Sequence, residues 1–254
     1  MKTIALLPAR LSSTRLPEKM LADLCGKPLI VRSWEAVMAT GLFDEVWIVT
    51  DHERIYQAAE THGARVCMSR ADHPSGSDRL AEVIADRNEV ELVVNVQGDE
   101  PFTSKESLSA LLNCFNDPGV QVASACCALQ QLSDYQNPNV VKVVKDAAGD
   151  ALYFSRAPIP FARDQVWQTD EDELQLPATV WQHLGLYAYR REALLRFTSL
   201  PPAPLELTEK LEQLRLLHYG IRIRMAEVAE KAVGVDTAED LERARELFIS
   251  RGRK

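Results

Sequence analysis

Leu92-Val93-Val94-Asn95-Val96 is an almost unbroken apolar run, and Gln97-Gly98-Asp99-Glu100-Pro101 ends it at once. A strand apolar on both faces belongs to a sheet covered on both sides, the usual setting of a parallel strand. The turn behind it carries a carboxylate, Asp99, just past the strand's end. In open α/β sheets ligands sit beyond the carboxyl ends of the strands. This one stretch therefore points to a fold and to a site together.

Outward from it, Thr3–Leu7, Glu45–Thr50 (EVWIVT) and Ala64–Met68 read as further strands. Between them lie helical segments. One opens at Pro28 and stops before Gly41. His52–His62 is closed by Gly63. Ser77–Arg87 carries Leu80, Val83 and Ile84 on one face, and Ser104–Asn116 follows the fourth strand. Alternating strand and helix predicts a mostly parallel, Rossmann-like α/β sheet flanked by helices and joined by right-handed crossovers. The second half is less regular and reads as a smaller α+β part. Val140–Lys145, Ala151–Phe154 and Val180–Tyr189 look like strands, and Leu205–His218 and Ala238–Ile249 like helices. Pro158–Pro160 and Pro201–Pro204 read as loops. Gln165–Leu176, with four acidic residues in a row, reads as an acidic, mobile surface insertion.

Composition narrows the function. The chain has 254 residues, 29 basic against 37 acidic, a net charge of −8. That excess argues against a general nucleic-acid coat but leaves room for a local anion site. No apolar run approaches the roughly 18–20 residues of a membrane span. The first apolar stretch breaks at Pro8 and is too short for a signal peptide. Five cysteines, with no C-x-x-C spacing, argue against a disulfide scaffold or a zinc site and for a reducing cytoplasm.

Five sets of residues could carry chemistry, and each has a plainer alternative. Leu7–Lys19 runs from a buried strand into a loop with Arg10, Arg15, Lys19 and three hydroxyls, suited to a polyphosphate or simply a solvated basic loop. It has neither a P-loop nor a dinucleotide glycine fingerprint. Asp99, with Glu100 beside it, could hold a divalent ion or cap the next helix. In Gly234–Leu241, Asp236 could supply a second metal carboxylate, or Asp236 or Thr237 could cap the last helix with Asp240 or Glu239 reaching back. In His73–Arg79, Ser75-Gly76-Ser77 could seat an anion, or Ser77 could cap a helix, and Arg79 could face the ligand or pair with Asp78. In the second half, Arg156 follows an apolar strand, and His183 and Tyr187 share a strand face. Glu209 and Gln213 share a helical face, with Glu212 alongside. Such groups could read sugar hydroxyls and clamp a carboxylate, or be a core histidine and a solvated helix face.

Taken together, the motifs resemble a known family. Leu7–Lys19 resembles the N-terminal signature of sugar-activating cytidylyltransferases. Ala71–Val83, Val94–Pro101, Ala151–Pro160, His183–Tyr189, Leu211–Arg215 and Gly234–Thr237 resemble, in order, the 3-deoxy-manno-octulosonate (Kdo) cytidylyltransferases. The resemblance runs from residue 4 to about 248. It implies a nucleotide-diphospho-sugar transferase type of fold in a single nucleotidyltransferase domain. About residues 1–130 would bind nucleotide, 131–235 would bind sugar and dimerise, and 236–254 would form the terminal helix. It implies the reaction CTP plus Kdo to CMP-Kdo plus diphosphate, with Mg²⁺, for lipopolysaccharide assembly. By motif, Arg10, Arg15 and Lys19 would hold the triphosphate, and Ser75, Gly76, Arg79 and Gln97 would seat the nucleotide. Asp99 and Asp236 would bind magnesium, with two ions screening the phosphates and easing loss of the sugar's proton. Arg156, His183, Tyr187, Glu212 and Gln213 would line the sugar pocket. A cytoplasmic homodimer is implied as well, with no nucleic-acid or membrane partner.

One departure stands out. The family often reads Pro-Gly-Lys-Pro where this chain has Pro17-Glu18-Lys19-Met20. If that position needs positive φ, Glu18 is strained there, and its carboxylate is expected to point outward. The competing readings are an enzyme for 8-amino-Kdo or sialic acid, and a nucleotide-binding protein that has lost catalysis. The second would be marked by loss of Lys19, Asp99 or Asp236, and all three are present. A dinucleotide oxidoreductase loses support because the glycine fingerprint is absent.

Overall fold

The computed structural model describes residues 2–163, 179–229 and 231–252. In chain order the elements are β1 (Lys2–Ala9), α1 (Leu29–Ala39), β2 (Glu45–Thr50), α2 (Glu53–Thr61), β3 (Val66–Met68), α3 (Gly76–Ile84), β4 (Val90–Asn95) and α4 (Lys105–Asn113). Then come β5 (Val122–Ala128), α5 (Leu132–Gln136), β6 (Lys142–Lys145), β7 (Ala151–Ser155) and β8 (Trp181–Arg190). The chain closes with α6 (Arg191–Ser199), α7 (Pro204–Glu209), α8 (Gln213–His218), β9 (Ile223–Glu227) and α9 (Ala238–Gly252). The acidic stretch 165–176 lies outside the described residues.

These elements form two units. One holds residues 1–108, 190–198 and 232–254; the other holds 109–189 and 199–231.

In the first unit the strands run β3-β2-β1-β4, every neighbouring pair parallel. Ile4–Leu7 and Leu92–Val94 are fully buried, as apolar runs on a sheet covered on both sides must be. Gly41 and Gly63 take positive φ, 67° and 75°, just past α1 and α2, a conformation that costs any other residue more. α3 is capped by Ser75, whose Oγ accepts from the Asp78 N–H at 3.2 Å. The expected cap, Ser77, lies two residues past the real one and is buried within the first turn.

In the second unit β5 pairs antiparallel with β8 and parallel with β9, and β6 pairs antiparallel with β7 and β8. A cluster of Leu129, Leu132, Tyr135, Val140 and Val180 closes one side of it. The single helix expected over 205–218 is two. α7 ends at Glu209, Lys210 turns to φ 54° and ψ 45°, and α8 starts at Gln213. Glu209 and Gln213 therefore do not share a helical face.

Candidate active site

In the first unit the loops after β1, β3 and β4 meet around Pro8. A Cβ on Gly76 would lie 3.6 Å from Pro8 Cγ. A Cβ on Gly98 would lie 2.7 Å from Ile30 Cδ1 and 3.1 Å from the Pro8 carbonyl, so the turn carrying Asp99 needs glycine for close approach. Ser33 Oγ fixes that turn further by donating to the Gly98 carbonyl at 2.8 Å.

Lys19 opens a short 3₁₀ turn and is buried. Its Nζ donates to Asp99 Oδ2 at 2.5 Å and to Asp236 Oδ1 at 2.8 Å. Arg15 Nη2 meets the other oxygen of Asp236 at 2.9 Å. Burial works against the Lys19 charge, but Asp99 and Asp236 outweigh it and raise its pKa above the ordinary lysine value. The Val235 N–H donates to the Asp99 carbonyl at 2.9 Å, which lays the segment before α9 over the turn after β4.

The helix cap expected in this segment forms on Thr237, not on Asp236. Thr237 Oγ1 accepts from the Asp240 N–H, and Asp240 reaches back to the N–H groups of Asp236 and Thr237. That reciprocal cap leaves the Asp236 side chain to face Lys19. Asp99 is not a helix cap, because Ser104 Oγ accepts from the Ser107 N–H at the start of α4.

Arg10 Nη2 donates to the His73 carbonyl at 3.1 Å, tying the first basic loop to the loop entering α3. His73 in turn meets Glu82 at 2.6 Å. Ser75 and Gly76 sit at the start of α3 beside Pro8, and the Gln97 carbonyl accepts from Glu100 N–H in the turn after β4. Arg79 neither reaches outward nor pairs with Asp78. It is fully buried, with Nη1 on Ser69 Oγ at 2.7 Å and Nη2 on Asp51 Oδ2 at 2.7 Å. It braces the ends of β2 and β3 behind the loop. Glu18 has φ 53°, as feared from the sequence. Its carboxylate points away from Lys19 and forks onto Arg54, Oε2 accepting from Nη2 at 2.7 Å.

The second unit gathers the other residues. His183 and Tyr187 lie four residues apart, roughly 13 Å along a regular strand. β8 itself bulges between them, since neighbouring Ser124 and Ala125 of β5 pair with Tyr187 and Leu184, and this shortens the distance. The two rings come to 5.4 Å, and Phe154 meets His183 edge-on at 4.9 Å. His183 Nε2 lies 3.0 Å from Ser124 Oγ and its Nδ1 lies 3.5 Å from Gln213 Nε2. Burial pushes the His183 pKa down to about 3, so the ring is neutral near pH 7. Burial, then Tyr189 and Glu212, raises the Tyr187 phenol, which stays protonated and can donate. Glu212 occupies the position before α8.

Arg156 directly follows β7, and its guanidinium rests on carbonyls: Nε on Glu209 at 2.7 Å and Nη1 on Pro138 at 2.9 Å. The Glu209 carboxylate accepts from Ser155 Oγ at 2.6 Å and from the Arg156 N–H at 3.0 Å. Sequence reading had no signal for Asp51, Ser33, Ser124 or Glu82, whose partners are distant in the chain.

Asp99 Oδ2 and Asp236 Oδ1 both face the Lys19 ammonium. Asp99 and Asp236 are hard oxygen donors of the kind Mg²⁺ takes, and Mg²⁺ needs only one or two carboxylates when phosphate and water complete its shell. Among the described residues no group of three or more His, Cys, Asp or Glu gathers to hold a metal. No described helix is long and apolar enough to cross a membrane. The cysteines are free thiols.

A family model described as cytidylyltransferase matches residues 4–223. The chain is 47% identical to the 3-deoxy-manno-octulosonate cytidylyltransferase of Flavobacterium johnsoniae, over 98% of this chain and 99% of that protein. It is 46% identical to the enzyme of the same name from Geobacter sulfurreducens, over 97% and 99%. Among solved structures, a CMP:2-keto-3-deoxy-manno-octonic acid synthetase complexed with CTP superposes with a TM-score of 0.89, at 40% identity, over 99% of this chain and 100% of that one. A 4-diphosphocytidyl-2C-methyl-D-erythritol synthase from Anaerococcus prevotii, at 12% identity and a TM-score of 0.61, shares the fold.

Proposed function

Since the chain belongs to the cytidylyltransferase family, among the 3-deoxy-manno-octulosonate cytidylyltransferases, we propose that it transfers CMP from CTP to the 2-hydroxyl of Kdo. The sugar oxygen bonds to the α-phosphorus as the bond to the β-phosphate oxygen breaks. Diphosphate leaves, and the hydroxyl proton passes to solvent. No covalent protein intermediate is needed, because positioning and electrostatics suffice for direct displacement.

The observation that carries this reading is the Lys19 ammonium shared by Asp99 and Asp236 with Arg15 alongside. Arg10, Arg15 and Lys19 bind the triphosphate and stabilise charge on the departing diphosphate. Ser75, Gly76 and Gln97 seat the nucleotide, and Arg79 holds their loop from behind. Asp99 and Asp236 would hold Mg²⁺. When bound, that ion supplies charge screening on the phosphates and favours loss of the hydroxyl proton. On the second unit Arg156 takes the sugar carboxylate. Neutral His183, Tyr187, Glu212 and Gln213 offer donors and acceptors to sugar hydroxyls.

This reading makes the protein a cytoplasmic enzyme feeding lipopolysaccharide assembly. It also makes it a homodimer, supported by the exposed apolar side chains Leu152, Phe161 and Leu207 on the second unit. The test is diphosphate release from CTP with Mg²⁺, comparing Kdo, 8-amino-Kdo, sialic acid and no sugar. Turnover with Kdo well above the others is expected. Turnover with another sugar alone would move the enzyme to a different pathway.

A further inference from the structure

Lys142 begins β6 and is fully buried. Burying an ammonium is costly unless every N–H is satisfied, and a long apolar side chain would fill the same space more cheaply. Here all three donors are used, on the carbonyls of Asn137 at 2.9 Å, Val140 at 2.8 Å and Arg156 at 2.7 Å. With every donor engaged, Lys142 has none to offer a ligand. Its contacts nonetheless converge on one side chain. Asn137 and Val140 flank Pro138, whose carbonyl seats Arg156 Nη1. The third contact holds the Arg156 backbone itself.

Glu209 grips the same residue from the other side. Its carboxylate accepts from the Arg156 N–H and from Ser155 Oγ, and its carbonyl accepts from Arg156 Nε. Glu209 is the last residue of α7, where a helix leaves its carbonyls without partners in the ladder. Arg156 is thus fixed at its backbone N–H, its backbone carbonyl and two guanidinium nitrogens. With Nη2 on the Lys210 carbonyl at 3.5 Å, one N–H on each terminal nitrogen remains beyond these contacts. Two parallel N–H groups match a carboxylate.

We propose that Lys142 and Glu209 are positioning residues that aim the Arg156 fork at the carboxylate of the acid sugar, and so set the enzyme's preference for acidic acceptors. The proposal rests on the reading of Arg156 as the carboxylate ligand. Burial lowers the Lys142 pKa and the Glu209 charge opposes that fall, so the two groups also support one another electrostatically.

The test compares the whole enzyme with Lys142→Met, Glu209→Gln and Arg156→Met. It measures KM for Kdo and for CTP, and the inhibition constant of the neutral carboxamide of Kdo. Lys142→Met is expected to raise KM for Kdo at least ten-fold, leaving KM for CTP and the carboxamide constant within two-fold. Glu209→Gln is expected to act in the same sense and keeps the test decisive if Lys142→Met does not fold. Equal losses for acid and carboxamide, a parallel rise in KM for CTP, or no change would overturn the proposal. Arg156→Met separates the two levels. If it abolishes the preference for acid over carboxamide while the other variants do not, only the positioning role falls. If it leaves that preference intact, the reading of Arg156 falls with it.

Discussion

The Lys19 ammonium lies 2.8 Å from Oδ1 of Asp236, 217 residues further along the chain. The same nitrogen touches Asp99, so three motifs far apart in sequence share one proton-rich point. Removing that charge leaves two carboxylates facing one another and, in the proposed mechanism, takes a donor from the leaving diphosphate. Lys19→Gln is expected to lower kcat by about 10²–10³, the usual cost of one such donor. Steady-state diphosphate release at saturating CTP checks this, and a loss confined to KM would contradict it.

Asp240 aims Asp236 without touching a ligand. Its Oδ2 accepts from the N–H groups of Asp236 and Thr237 at 3.1 and 2.9 Å. Asp240→Ala removes the reciprocal cap of α9. About 1 kcal/mol of stability should go, a fall in Tm of roughly 2–4 °C for a chain of this size. Activity should fall several-fold as well, because the Asp236 backbone loses its anchor. Calorimetry with a parallel activity assay measures both.

Glu18 combines a strained backbone with an exposed ion pair. Glycine tolerates φ 53° freely, and half-exposed pairs such as Glu18–Arg54 contribute little. Glu18→Gly should leave Tm unchanged or raised and keep KM for CTP within a few-fold. A larger change in KM would mean that the Glu18 charge reaches the nucleotide.

His183 is neutral because it is buried, and this has a consequence for stability. Its folded pKa, about 3, lies below the ordinary value of 6.5. Between those values the unfolded chain binds the extra proton, so folding stability from this group is full above pH 6.5 and is lost as pH falls. From pH 6.5 to 5 the loss amounts to about 2 kcal/mol. His183→Gln should flatten the acid limb of a denaturation series by that amount. An unchanged limb would mean that the imidazole takes up a proton in the folded protein.

The first unit was legible because its strands advertise themselves. Ile4–Leu7 and Leu92–Val94 are apolar on both faces, and Gly41 and Gly63 punctuate the helices. The Asp99 and Asp236 motifs were legible as motifs, but nothing in the spacing brings them to one ammonium; the tertiary fold does. β5, Val122–Ala128 (VASACCA), escaped notice because small residues replace the β-branched ones that mark a strand. The helix break at Lys210 escaped because a non-glycine residue takes positive φ there, with no turn signal in the chain. Arg79 reads from sequence as facing a ligand or pairing with Asp78, because its partner, Asp51, sits 28 residues away. Lys142, a lysine between valines, reads as an exposed position, and its burial rests on three hydrogen bonds to carbonyls that leave no mark in the sequence.

The central claim is that Asp99 and Asp236 hold the metal for CMP transfer to Kdo. The most direct measurement is diphosphate release from CTP and Kdo by the wild-type enzyme and by Asp99→Ala, each titrated with Mg²⁺ and then quenched with EDTA. The account predicts rapid Mg²⁺-dependent release by the wild type, abolished by EDTA, and at least a hundred-fold loss in folded Asp99→Ala at every Mg²⁺ concentration. Release that persists in EDTA, or an Asp99→Ala enzyme that turns over as the wild type does, would contradict it.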